Sequence, residues 1–354
     1  MRKAYSFILF LVVLAVIAAM HLWARSGQSS DQVISGCLAL NAGDSKECCC
    51  SLNKFSEDDV PPNIPAPVAI ADCSLSDTTA INGVYFGQES PGLTAKVFAP
   101  GIISRDGSFV VAIIFSPDGK ECYFSERTPN WSASWIMVTE YKDGVWTTPH
   151  KASFSNQKSM CSSLSADGNK LFFSSNRGTD GKQGIFQCSR LTNGDWSEPV
   201  EMMRQISSTD DEWSCHLSDK GSMFVCSWRA GGKGKCDGWR IPFGEGQFQS
   251  AQNLGVLNTG FNDCGITPGP NEAYVIFQSD RDGGFGKMDL YISHALPDGK
   301  WSAPINLGPD INSAEGEGGA WVSYDGRFLF FSSTRGKTDN IYWVETRAFL
   351  TQQK

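Results

Sequence analysis

The sequence predicts an all-β protein: a five-bladed β-propeller of four-stranded antiparallel blades, with a six-bladed ring as the alternative. Three observations carry that reading: a fivefold repeat, glycine-rich turns at hairpin spacing, and an early strand that completes the last repeat. Five times a strand ends in a tight turn and a second strand runs into an arginine. The copies are Phe115-Ser-Pro-Asp-Gly to Arg127, Leu164-Ser-Ala-Asp-Gly to Arg177, Leu217-Ser-Asp-Lys-Gly to Arg229, Ile266-Thr-Pro-Gly-Pro to Arg281 and Val322-Ser-Tyr-Asp-Gly to Arg335. Aligned on Ser116, Ser165, Ser218, Thr267 and Ser323, they are 49, 53, 49 and 56 residues apart. That period holds four short strands and is too long for most helical repeats.

Within each unit the first strand precedes the turn, as in Ala112 to Ser116, and the second is a short apolar run such as Leu171-Phe172-Phe173 or Phe328 to Phe331. The third is aromatic-rich (Trp135 to Val138, Ile185 to Cys188, Asp289 to Ile292, Ile341 to Val344). A fourth begins after Gly-x-Trp at Trp146, Trp196 and Trp301, weakened to Phe248 in the middle unit. The last unit lacks a fourth strand, and the missing piece stands at the front. Ala95 to Ser104 aligns with Pro304 to Ser313, so an amino-terminal strand is expected to close the ring without leaving an open edge.

Ahead of the repeats, Arg2 and Lys3 precede an apolar run over residues 5–24, the pattern of an export signal. Residues 1–24 are read as either a cleaved signal peptide or a retained membrane anchor, since about 20 residues suffice to span a bilayer. Residues 25–80 form a linker bearing cysteines and prolines, and 81–349 the propeller. Twelve cysteines suit an exported chain in which disulfides persist. Cys215 and Cys226 sit symmetrically about the Lys220-Gly221 turn, which would place them opposite each other as a cross-strand disulfide or as two buried thiols. No Cys-x-x-Cys pair occurs, and neither a metal nor a cofactor is expected. With 30 basic against 38 acidic residues and no basic run after the first three, a nucleic-acid partner is not expected.

The Phe-Ser-Pro-Asp-Gly-Lys turn at 115–120, the Phe-Phe-Ser-Ser-Asn-Arg strand end at 172–177, Gly-Gly-Phe-Gly-Lys-Met-Asp-Leu-Tyr at 283–291 and Trp-Ser-Ala-Pro-Ile-Asn-Leu-Gly at 301–308 resemble the TolB-type, WD-repeat-like β-propellers of bacterial exported proteins. The resemblance covers about residues 84–345. It implies a periplasmic or membrane-anchored propeller, and its relatives include both free-standing propellers and propellers joined to peptidase or peptidoglycan-binding domains. A binding scaffold for an envelope protein or a glycan is the function expected, with a glycan-acting enzyme as the alternative.

Antiparallel hairpins alternate faces, so the short Asp-Gly turns share one side of the disc. The second-to-third loops and the blade connections share the other, where binding is usually built. Arg127, Arg177, Arg229, Arg281 and Arg335 approach that loop face, and Asp237, Asp289 and Asp339 stand at third-strand starts as their expected intrablade partners. Glu212 and Glu317 lie six residues before Ser218 and Ser323, with Asp263 nearby. These acids could line a central funnel as paired carboxylates for glycoside hydrolysis, or could be ordinary solvated loop residues. Trp131 and Trp228 break the repeat on the same face, which points either to stacking on a ligand or partner or to packing inside a longer loop. No catalytic residue is assigned: neither Gly-x-Ser-x-Gly nor His-Glu-x-x-His occurs.

Overall fold

The computed structural model describes residues 84–350, except 156–157, 179–180, 204–205, 337 and the side chains of 161 and 162. The leader and the linker expected over 1–24 and 25–80 lie outside the described residues. Five four-stranded sheets follow the repeat. Strand β1 (Lys96–Val97) belongs to the last of them. Blade I comprises β2 (Val110–Phe115), β3 (Glu121–Arg127), β4 (Ser134–Lys142) and β6 (His150–Lys151), with β5 (Val145–Trp146) folding back on the end of β4. Blade II is β7 (Ser159–Leu164), β8 (Lys170–Ser175), β9 (Gly184–Ser189) and β10 (Val200–Glu201). Blade III is β11 (Glu212–Leu217), β12 (Met223–Ser227), β13 (Asp237–Ile241) and β16 (Gln252–Asn253), with a small hairpin of β14 (Phe243–Gly244) and β15 (Gln247–Phe248). Blade IV is β17 (Asp263–Pro268), β18 (Tyr274–Ser279), β19 (Asp289–His294) and β20 (Ile305–Asn306). Blade V is β21 (Glu317–Val322), β22 (Phe328–Ser333), β23 (Asn340–Glu345) and then β1.

The innermost strands contact one another in the cycle β2, β7, β11, β17, β21 and back to β2. Blade V lies directly against blade I: Val110 donates its amide to the Asp339 carbonyl at 3.0 Å, and a Cβ at Gly319 would fall on the Val111 carbonyl oxygen. The ring therefore closes with five blades. Closure comes from β1, which pairs antiparallel with β23 through Lys96 opposite Trp343 and Val97 opposite Tyr342. The second strands are continuous apolar runs because both of their faces are covered by neighbouring blades. Phe328, Leu329, Phe330 and Phe331 of β22 are all buried, and cores of this kind lie between successive blades.

The repeated turn is built by side chains. Ser116 donates its hydroxyl to Asp118 at 2.6 Å and accepts the Glu121 amide at 2.9 Å, Asp118 accepts the Lys120 amide at 3.1 Å, and Gly119 takes φ 69°. The same pattern recurs at Ser165/Asp167/Gly168 and Ser323/Asp325/Gly326. Asp and Ser hold such turns through local side-chain bonds, and only glycine adopts the left-handed position without a steric cost. In blade IV the equivalent residue is Gly269, whose amide bonds the Tyr274 carbonyl as Ser323 bonds Phe328. The alignment on Thr267 is thus two residues early. The corrected register puts Asp263 at the same position as Glu212 and Glu317, opposite Ser279, Ser227 and Ser333 respectively.

Candidate functional site

The blade-start acids do not form a funnel. Each is buried at the head of its own blade inside a repeated staple. Asp263 accepts the Thr259 amide at 2.6 Å and hydroxyl at 2.8 Å, the Ser279 hydroxyl at 2.6 Å and Nη2 of Arg281 at 2.6 Å. Arg281 also donates to the Leu257 carbonyl at 2.6 Å and to Ser279 at 2.9 Å. Glu317 repeats this with Ser313, Ser333 and Arg335, and Glu212 with Ser208, Ser227 and Arg229. Exposure of the three residues is 0%, 0% and 1% for Glu212, Asp263 and Glu317, so none offers an oxygen to a sugar. Burial pushes the Glu212 carboxyl upward against the opposing pull of Ser208 and Arg229, and its Oε2 has no hydrogen-bond partner among the described residues.

The five arginines diverge with the acid. In blade II, Ser159 replaces the carboxylate, and Arg177 bonds Ser175, the Phe154 carbonyl and Ser159. In blade I the position is Val110, and Arg127 instead pairs with Asp339 of blade V across the closure. The expected intrablade Arg/Asp pairing is therefore corrected. Asp237 and Asp289 cap the second-to-third loops, accepting the amides of Lys233 and Gly234 and of Phe285 and Gly286. A carboxylate at the end of a tight loop satisfies amides that no strand can pair, while the arginine reaches the acid on the innermost strand.

Of the residues singled out on the loop face, the two tryptophans remain accessible. Trp131 is 41% exposed and lies under the Arg127 guanidinium at 4.1 Å, while Trp228 is 50% exposed with its ring 6.2 Å from Trp213. Phe285, in the corresponding loop of blade IV, is exposed to a similar degree. Phe261, Met203 and Val256 in the blade connections are exposed as well.

On the opposite, turn-bearing face the innermost strands surround a depression of about 80 Å³ that includes Ser163, His216, Thr267, Trp321 and Tyr324. The sequence does not mark it as a unit, because Ser163, His216, Thr267 and Trp321 each hold the same repeat position in a different blade. Thr267 donates its hydroxyl to the Ala320 carbonyl and Ser163 accepts the Leu217 amide, so both are structurally engaged. Burial pushes the imidazole of His216 down to about 4. Below the ordinary value of 6.5 the unfolded chain takes up a proton that the folded chain refuses until about 4, so this stability is complete above 6.5 and is lost as pH falls through the window. The expected loss is about 3 kcal/mol at the acid end. Urea midpoints of wild type and His216→Gln, measured across that range, should move apart on acidification, the wild type losing stability that the variant, with no imidazole to protonate, keeps.

The cysteines also depart from expectation. The β11/β12 ladder is centred on Lys220, with Leu217 opposite Met223, so Cys226 faces Ser214 and Cys215 faces Val225. Cys226 is disulfide-bonded to Cys236 instead, with Cα atoms 6.3 Å apart, and the bond closes the loop that carries Trp228. Cys264 of the next blade brings a third sulfur to the same place.

Compared with known proteins, the chain matches no family model and no curated protein. Among solved structures it is similar to a putative TolB from Agrobacterium tumefaciens, at 18% identity over 68% of this chain and 78% of the other, TM-score 0.47. An α-L-arabinofuranosidase from Lactobacillus brevis aligns at 12% identity over 67% and 91%, TM-score 0.46, and TolB from Acinetobacter baumannii at 14% over 67% and 57%, TM-score 0.42. The propeller assignment itself stands on the five sheets and their closure.

Proposed function

We propose that this chain is an exported, non-enzymatic scaffold that recruits a protein partner in the cell envelope through its loop face, with Trp131, Trp228 and Phe285 as anchors. The observation that carries the reading is the exposure of these aromatic side chains on one face, while Glu212, Asp263 and Glu317 are consumed in staples. Tryptophan is enriched among residues that dominate binding energy. The leader pattern and the cysteine content support a location outside the cytoplasm, either in solution or tethered by its first residues.

A pull-down from envelope extract with wild type and with Trp131→Ala/Trp228→Ala/Phe285→Ala tests this. An anchor residue is worth about 2 kcal/mol, so the triple variant should lose its partner by well over tenfold in affinity. Retention of the same partner by the variant would place function elsewhere on the disc. Glycan turnover that disappears in Glu212→Gln would replace the scaffold with the hydrolase reading.

A further inference from the structure

The sulfurs of Cys226, Cys236 and Cys264 all lie within 4.8 Å of one another. They come from three separate places: Cys226 from β12, Cys236 from the residue before β13, and Cys264 from β17 of the neighbouring blade. Backbone bonds hold the arrangement. Cys236 bridges Asn262 in parallel and accepts the Asp263 amide at 2.8 Å, while Cys226 sits in register opposite Gly238 and Ser214. Cys226 and Cys236 are buried and Cys264 is partly exposed, so solvent reaches the cluster from the side of Cys264.

We propose that these three cysteines form a redox-gated site for a thiophilic closed-shell cation, Cu(I) or Zn(II), that is shut while Cys226 and Cys236 are joined. Zinc–thiolate bonds of about 2.3 Å place coordinating sulfurs about 3.8 Å apart, so three sulfurs already confined within 4.8 Å need move by no more than about 1 Å. Three soft donors on rigid strands, contributed by two blades, select such cations over magnesium or calcium. Opening requires two electrons. A dithiol donor breaks the Cys226–Cys236 bond, becomes a disulfide itself and leaves two thiols beside Cys264. Cation binding then releases the thiol protons of the coordinating sulfurs, up to three. The site is independent of the loop-face reading above, although the bond that shuts it also closes the Trp228 loop.

The test uses the full chain with Cys37, Cys48, Cys49, Cys50 and Cys73 replaced by serine, reduced with a phosphine and titrated anaerobically with Cd(II). Thiolate-to-metal charge-transfer absorption counts the sulfurs bound. The expected result is one cadmium equivalent with three thiolates that Cys264→Ser and Cys236→Ser each abolish, and that the unreduced protein lacks. Near-ultraviolet circular dichroism verifies folding, and Cys264→Ala serves as a second variant. A melting temperature that rises with Cd(II) in the parent and not in the Cys264 variants would agree. Uptake unchanged by both Cys264 substitutions, or equal uptake without reduction, would overturn the proposal.

Discussion

Arg281→Ala is expected to lower the unfolding free energy of the propeller by about 3–5 kcal/mol, the range found when one partner of a buried ion pair is removed. Asp263 has no exposure, so its carboxylate cannot recover the lost interaction from water. The substitution also leaves the Leu257 carbonyl without the guanidinium that now bonds it at 2.6 Å. Truncation further removes a cation that packs over Phe277 and Tyr291 at 5.1 and 4.9 Å from their ring centres. The reverse change, Asp263→Ser, should cost less, because blade II already runs the same staple with Ser159 in place of the acid. Urea denaturation distinguishes the two: the midpoint of Arg281→Ala should fall far below that of Asp263→Ser at unchanged slope. A loss under about 1 kcal/mol for Arg281→Ala would show that the pair behaves as a solvated surface ion pair, and the staple reading would fail.

The architecture was legible because its determinants are local and repeated. Ser-x-Asp-Gly dictates its own turn through bonds within five residues, and each copy announces one hairpin. Ring closure was legible for a related reason. Residues 95–104 repeat the pattern of 304–313, and β1 and β20 occupy equivalent outer positions. Blade IV shows where this reasoning fails. Its turn replaces serine and aspartate with Gly269-Pro270-Asn271, which left Thr267 as the nearest hydroxyl and hid the register of Asp263.

The partners of the arginines were hidden by burial. A sequence shows a serine, an arginine and an acid at blade spacing, but not that the acid at the head of the innermost strand is buried beneath the loop, opposite the serine of the second strand. The Cys215/Cys226 pairing failed for a different reason: it assumed a ladder centred between Lys220 and Gly221, whereas Leu217 stands opposite Met223 and the centre is Lys220 itself. Trp131 and Trp228 were visible because they break a pattern. The three-cysteine cluster was not, since its members stand 10 and 28 residues apart and meet only after two blades have packed.

Phe98→Ala should be about as costly as the broken staple, about 3–5 kcal/mol, but its consequence should spread differently. Phe98 follows β1 and is fully buried, with its ring 5.0 Å from Phe330, 5.2 Å from Trp343 and 6.0 Å from Phe115. It therefore joins the second and third strands of blade V to the first strand of blade I. The closing strand has only two paired residues, supported by the Phe98 amide on the Ile341 carbonyl at 2.7 Å. Leu307 occupies the equivalent position in blade IV and its amide bonds the Leu290 carbonyl, yet no ring closure depends on it. Leu307→Ala should thus raise amide exchange locally in β19 and β20. Phe98→Ala should release β1, raise exchange along β23 and expose an unpaired edge that promotes association. Exchange in β23 as slow in Phe98→Ala as in wild type would mean that the two-residue ladder, not the aromatic packing, holds the ring shut.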